Sequence, residues 1–265
     1  MDELTRIASH QLWWGAFAMD LGAFTPFFYA FREREMINEI MEETCGARLT
    51  MNYIVPGGVV IDLHPDFQKK VKEFVALFKV KIHEYDELVT GNIIFQSRTK
   101  GVGTLSKADA ISYGCTGPVG RASGFSCDVR KHFPYEIYEK IEFEEILETG
   151  GDAYARYKVR IREMIQSLRI IEQLIDEIPE GEFQAKTKAV IKLPKGDFYS
   201  RVETARGEFG VYIVSEGGTT PYRIKYRSPG FSNLSALDHM TRGGKIGDLM
   251  STMGTLDLVI PDIDR

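Results

Sequence analysis

The sequence predicts a mainly α-helical fold with a small β part, an α+β chain in which a helical bundle carries one β-hairpin. Three observations predict it. Residues 67–89 and 152–178 place apolar side chains at helical spacing over several turns. Only residues 208–228 alternate in the manner of paired strands. Glycine and proline punctuate the stretches between these segments and stay out of the two helical ones.

Taken in order, "DELTRIASHQLWW" spaces Leu4, Ile7, Ala8 and Leu12 as one helical face, so a first helix is expected over residues 2–22. Its start has nothing before it to pack or cap it, which suggests a chain that begins inside a helix. Thr25-Pro26 reads as a cap and first helical residue, opening a second helix that runs to about Thr44. Residues 45–65 read as a loop with extended pieces, broken at Gly46, Pro56, Gly57 and Gly58. Asp66 is placed to cap a strongly amphipathic helix with Phe67, Val71, Phe74, Val75, Phe78, Ile82, Tyr85 and Leu88 on one face. A short helix follows at "SKADAISYG". Residues 113–135 read as a long glycine-rich loop, and long loops in compact domains are often functional. The longest helix is expected over residues 152–178, closed by Pro179. A hairpin turning at Glu216-Gly217-Gly218, two short helices and the tail "DLVIPDIDR" complete the chain.

Composition narrows the function. The chain has 265 residues, 43% hydrophobic and 27% charged, enough to bury a sizeable core. A net charge of −5 leaves no basic footprint for nucleic acid. Three widely spaced cysteines, Cys45, Cys115 and Cys127, argue for a reducing compartment and against a disulfide framework. The apolar run from Leu12 to Phe31 is long enough to suggest a membrane span. Asp20, two glycines, Thr25 and Pro26 inside it favour a buried core helix instead.

No local motif supplies a self-contained catalyst. "GCTGPVGRASG" lacks the Lys-Ser/Thr ending of a phosphate loop, "GVGTLS" is only a fragment of a dinucleotide fingerprint, and "GFSCD" lacks the second glycine of a hydrolase elbow. The five histidines never fall at zinc-protease spacing. What remains is a set of polar groups in apolar or glycine-rich surroundings: Asp20, Arg48, Arg121, Asp128, Arg130, Arg206 and the terminal Asp262, Asp264 and Arg265. Taken singly they read as buried ion pairs within a bundle. Taken together they suggest one shared cavity. Asp20, in "FAMDLGAFTPFFYAF", raises the sharpest question, because a buried carboxylate needs a partner, a helix end or a cavity.

Five stretches, "MDLGAFTPFFYAFREREMI", "GARLTMNYIVPGGV", "RASGFSCDVRKHFPY", "VETARGEFGVYIVSEGG" and "PYRIKYRSPGFSNL", together closely resemble the 49-kDa (D-type) subunit of respiratory complex I, the NADH-quinone oxidoreductase. The resemblance runs in order along the whole chain. It implies a bundle like that of the related nickel–iron hydrogenase large subunit. It also implies a single domain over residues 1–265, forming the C-terminal two-thirds of the quinone-binding subunit with the N-terminal third absent. Hydrogenase large subunits end near a DPCxxCxxH motif; here Val259 and Asp262 stand where cysteines would be and Arg265 where the histidine would be. Without the soft thiolates that hold nickel and iron, no metal site is expected.

The resemblance further implies that Asp20 orients a quinone-contacting histidine supplied from elsewhere, and that Arg48, Thr50, Val259, Asp262 and Arg265 border the quinone cavity or the cluster beside it. An orienting carboxylate fixes an imidazole's tautomer and raises its basicity. Thr50 stands where many relatives have a histidine beside the cluster, and threonine does not titrate near neutrality. The implied substrate is a membrane quinone, with the terminal iron–sulfur cluster held by a neighbouring subunit and NADH bound elsewhere. The implied partners are other complex I subunits: a cluster-bearing B-like chain, a C-like chain and an H-like membrane chain, on the cytoplasmic side of a bacterial inner membrane. Two other readings stand beside this one: a metal-free relative in a membrane-bound hydrogenase-type or ferredoxin-fed complex, and an inactive scaffold. An isolated chain of this kind is expected to be inactive and to leave the apolar faces of residues 4–31 uncovered.

Overall fold

The computed structural model describes residues 1–188 and 190–264. α1 (Asp2–Asp20) and α2 (Thr25–Cys45) form an antiparallel pair. The run from Leu12 to Phe31 is therefore two helices folded back at Gly22, whose φ of +95° suits glycine. Close approach of the pair depends on Gly15, where an added Cβ would lie 3.0 Å from the Phe27 Cα. Among the described residues no helix is long and apolar enough to cross a membrane. α2 starts at Thr25 itself, with Phe24 before it and no side-chain cap; Pro26 occupies the first turn.

β1 (Ile54–Val55) and β2 (Gly58–Val59) pair as a minimal hairpin in the expected loop. α3 (Phe67–Tyr85) buries the seven apolar residues predicted for its face. The eighth, Leu88, is exposed. The helix loosens into a π-helical turn over Asp86–Thr90, which rotates the face by one residue and turns Val89 inward instead. Asp66 precedes α3 without capping it; its amide donates to His64 Nδ1. α4 (Ile93–Thr99), capped by Asn92, was not expected from the sequence. α5 (Lys107–Ser112) is capped by Ser106.

The expected glycine-rich loop is more ordered than its composition suggests, holding α6 (Gly117–Ala122) and α7 (Val129–His132). α6 is buried along its whole length, so it has no alternating face to read. α8 (Ala153–Leu174), capped by Asp152 on the Ala155 amide, ends short of Pro179. The predicted hairpin becomes a three-stranded antiparallel sheet, order β3-β4-β5, of β3 (Gly196–Thr204), β4 (Gly207–Ser215) and β5 (Arg223–Arg227). Its register pairs Val202 with Phe209 and Ile213 with Ile224. Four helices follow where two were expected: α9 (Pro229–Ser235), α10 (Leu237–Thr241), α11 (Ile246–Leu256) and α12 (Ile260–Ile263).

The main core lies between α1, α2, α3 and α8. Trp14 stacks on Tyr85 with centroids 4.1 Å apart, and Trp13 stacks on Phe17 at 5.2 Å. Leu4, Ile7, Trp13, Trp14, Phe17 and Ala30 are all buried within this chain. The expectation of an uncovered face over residues 4–31 is thus corrected: α3, α8 and α11 cover it, leaving Leu12, Phe24 and Phe28 exposed. A second cluster, containing Leu105, Cys115, Val119, Met240 and Leu256, joins α5 and α6 to α10 and α11.

Candidate functional site

α1 and α8 run antiparallel, and their shared face carries charge as well as apolar side chains. Glu3, Arg6 and His10 of α1 meet Glu163 and Ser167 of α8, Arg121 of α6, Asp128 and Arg130 at α7, and Glu203 of β3. All are buried. Arg121 donates to Glu163 at 2.5 Å and to Glu203 at 2.7 Å. Arg130 donates to Asp128 at 2.7 Å and to Glu3 at 3.1 Å. Tyr138 and Ser167 each donate to Glu3, at 2.6 Å. Arg6 binds Glu3 and the Glu203 carbonyl.

Isolated buried charges are costly, whereas paired ones with satisfied lone pairs persist. Burial alone would raise the Glu3 and Glu163 carboxyls, but the facing guanidiniums and hydroxyl or imidazole donors overcome it and hold both well below the usual carboxylate range. His10 shows the opposite balance. Burial lowers its pKa more than the bond to Glu163, at 2.9 Å, restores it. A neutral His10 therefore donates from Nε2 to an ionised Glu163. Burial also pushes the thiols up, Cys115 to about 11 and Cys127 to about 12, so neither is an activated nucleophile.

Arg121, Asp128 and Arg130 are thus buried ion pairs, the plainer of the two sequence readings. Arg206 pairs with Asp257 at 3.1 Å. The other nominated residues lie elsewhere, which corrects the expectation of one shared cavity. Arg48 is exposed and pairs with Glu35 and Glu42. Thr50 is exposed at φ +52°, its hydroxyl donating to the neighbouring Leu49 carbonyl. Among the described residues neither contacts Asp20 through a hydrogen bond or an ion pair.

Asp20 closes α1 and is exposed, so its desolvation is no difficulty; it is a helix-end residue. Its carboxylate faces α11, where a Cβ built on Gly254 would lie 3.9 Å from Oδ2. α11 leads directly into the C-terminal segment. There Val259 precedes α12 and accepts the Asp262 amide, and Asp262 Oδ2 accepts the Gly230 amide of α9 at 2.9 Å. Arg265 lies outside the described residues. Asp20 thereby adjoins α11; Phe24 and Phe28, a few residues on along the chain, and Leu249 and Met250 of α11 are exposed. A solvent-facing carboxylate at a helix end can orient a hydrogen-bond donor. Among the described residues no group of three or more His, Cys, Asp or Glu side chains could hold a metal ion.

Sequence reasoning missed Glu3, Arg6, His10, Glu163 and Glu203. A signal existed: Glu3, Arg6 and His10 recur at helical spacing beside Leu4 and Ile7, and Arg156, Arg160, Glu163 and Ser167 do the same in α8. Charges in register with an apolar stripe mark a polar seam between helices.

A family model described as the respiratory-chain NADH dehydrogenase 49 Kd subunit matches residues 20–265. The chain belongs to this 49-kDa subunit family. Its relatives include the C/D subunit of the NADH-quinone oxidoreductase of Bacteroides thetaiotaomicron, 58% identical over 265 residues, which are 100% of this chain and 50% of that protein. The NADH-quinone oxidoreductase D 2 subunit of Solibacter usitatus is 48% identical over 100% of this chain and 72% of its own length. The corresponding D subunit of Geobacillus kaustophilus is 46% identical over 99% of this chain and 72% of its own length. The chain spans about half the length of the Bacteroides relatives it matches. The 49-kDa family match begins at Asp20 and takes in α2 to α12, including Arg121, Glu163 and Glu203 of the buried cluster.

Proposed function

We propose that the chain is the quinone-facing part of a proton-translocating NADH-quinone oxidoreductase, corresponding to the C-terminal two-thirds of its D subunit. One observation carries the reading: the Asp20 carboxylate stands exposed against α11, at the head of the segment that carries Val259 and Asp262. In this reading Asp20 orients an imidazole supplied by another part of the assembly, which delivers a proton to the reduced quinone. Val259 and Asp262 shape the floor beneath the headgroup. Arg48 and Thr50 lie on the loop facing the cluster-bearing neighbour, a B-like chain. A C-like chain and an H-like membrane chain complete the assembly, peripheral on the cytoplasmic side of the membrane. The iron–sulfur cluster belongs to the neighbour and supplies the electrons; NADH binds elsewhere.

The test is Asp20→Asn in the assembled complex. The amide keeps the shape and removes the charge that makes the neighbouring imidazole basic. Quinone reduction is expected to fall by about tenfold to 10⁴-fold, the scale of an acid–base contribution. Electron transfer from NADH to an artificial acceptor upstream of the quinone is expected to survive. Wild-type quinone reduction in an intact Asp20→Asn complex would make the carboxylate structural only.

A further inference from the structure

A group of polar atoms lies beyond the ion-paired cluster, on the side toward α11. His10 Nδ1, Arg160 Nε and Nη2, Arg156 Nη2, Asp257 Oδ2 and Asn233 Oδ1 are all buried without a hydrogen-bond partner among the described residues. They belong to one connected neighbourhood. Arg160 lies over the Trp13 ring at 4.3 Å and donates from Nη1 to the Arg156 carbonyl at 3.2 Å. Its charge is felt by two ion pairs, Asp257 with Arg206 and Glu163 with Arg121. Arg156 is fixed by Thr255 Oγ1 and the Gly151 carbonyl, both at 2.9 Å. Arg206 holds the Asp257 carbonyl at 3.0 Å, and its own carbonyl accepts from Asn233 at 3.4 Å. The seam reaches the surface here: the Asp257 side chain is 9% exposed and that of Arg206 is 21%.

Buried polar atoms without partners are rare, and each one asks for a reason. The chemistry of this set selects the ligand. With His10 neutral and donating from Nε2 to Glu163, its Nδ1 is an acceptor, as are Asp257 Oδ2 and Asn233 Oδ1. The three arginine nitrogens are donors. An anion would satisfy the donors and be repelled by the acceptors; a cation would do the reverse; an apolar ligand would satisfy neither. Water both donates and accepts, and typically bridges two to four such groups.

We propose that α1, α8, α9 and α11 enclose a chain of ordered waters that links His10 to Asp257 and Asn233 and lets the buried imidazole exchange protons with the surface beside the C-terminal segment. A proton arriving along this chain attaches to His10 Nδ1 and makes an imidazolium whose charge Glu163 faces; its return leaves the neutral ring. Arg160 and Arg6, both facing His10, oppose that charge and keep the protonated state short-lived. The inference concerns this chain's own interior and does not depend on the quinone reading.

The test follows deuterium exchange at the imidazole C2 position by mass spectrometry, on the assembled protein. That carbon-bound proton exchanges only where water reaches the ring. His10 is 0% exposed, so a dry interior would protect it fully, whereas the exposed His132 exchanges freely. Measurable exchange at His10 is expected in the wild type. In Asn233→Leu, which replaces an acceptor of the seam by an apolar side chain, it is expected to slow by about fivefold or more, with His132 unchanged. A high-resolution map is expected to show ordered water within hydrogen-bond distance of at least His10 Nδ1 and one of Asp257 Oδ2 or Asn233 Oδ1. Complete protection of His10 in the wild type would overturn the proposal even if the variant does not fold. So would an unchanged rate in a folded Asn233→Leu protein.

Discussion

Glu163 sits where two loads meet, accepting from His10 on one oxygen and from Arg121 on the other. Removing its charge leaves Arg121 and Arg130 short of a counter-ion inside the protein. Glu163→Gln is expected to destabilise the fold by about 3–5 kcal/mol, the scale of breaking a buried pair, read as a lower midpoint in urea unfolding. Arg48 gives the contrast. Its partners Glu35 and Glu42 lie in solvent, so Arg48→Ala is expected to leave the midpoint unchanged within error. The depressed Glu3 and Glu163 carboxyls also set a pH dependence. A carboxylate whose pKa is lower in the folded than in the unfolded state binds fewer protons when folded, so stability rises with pH. This contribution is fully present above the ordinary carboxylate value of 4.5 and is lost as pH falls below it toward the depressed folded values. Unfolding midpoints measured between neutral pH and pH 3 are expected to drop mainly over that acidic window, and less steeply in Glu163→Gln.

The α1–α2 pair depends on a single missing side chain. At Gly15 a Cβ would meet backbone, the Phe27 Cα at 3.0 Å, and the Ala30 Cβ at 3.1 Å. Ala is favoured over Gly inside a helix by about 1 kcal/mol. Here the helices would have to move apart, and overpacking of this kind costs about 1–3 kcal/mol. Gly15→Ala is therefore expected to lower the thermal midpoint, where propensity alone would raise it; a raised midpoint would show that the pair yields easily. The elements that could be read beforehand, α3 and α8, bury one face and expose the other. Those that could not be read follow the converse. α6 is buried all round and offers no contrast, and β3 exposes Phe198, Tyr199 and Val202, so its alternation marks no inner face. The π-helical turn escaped for a third reason, since a one-residue insertion in the ladder shifts the face without changing composition.

Across the whole molecule, the apolar surface is uneven. Phe24 and Phe28 beyond Asp20, Ile93 and Ile94 on α4, and Ile246 on α11 are all well exposed. A purified isolated chain is expected to self-associate with rising concentration and to bind an apolar dye, checked by light scattering and fluorescence. Monodisperse behaviour at high concentration would mean these side chains are too scattered to act together. The sequence motifs pointed to Asp20 and the C-terminal segment, and α11 joins those two; they did not separate them from Arg48 and Thr50, because distance across the fold is not written in spacing along the chain. The buried cluster has a consequence for biosynthesis. It ties Arg6 of the first helix to Glu203, so that helix leaves the ribosome long before its last partner in the cluster exists. At about 5–20 residues per second, that interval is about 10–40 s. Until Arg130, Glu163 and finally Glu203 emerge in turn, the cluster stays incomplete and its charges stay hydrated beside an apolar stripe that already has α2 to pack on. The nascent chain thus holds half a core and an open polar seam, which makes this the interval in which a chaperone has most to shield.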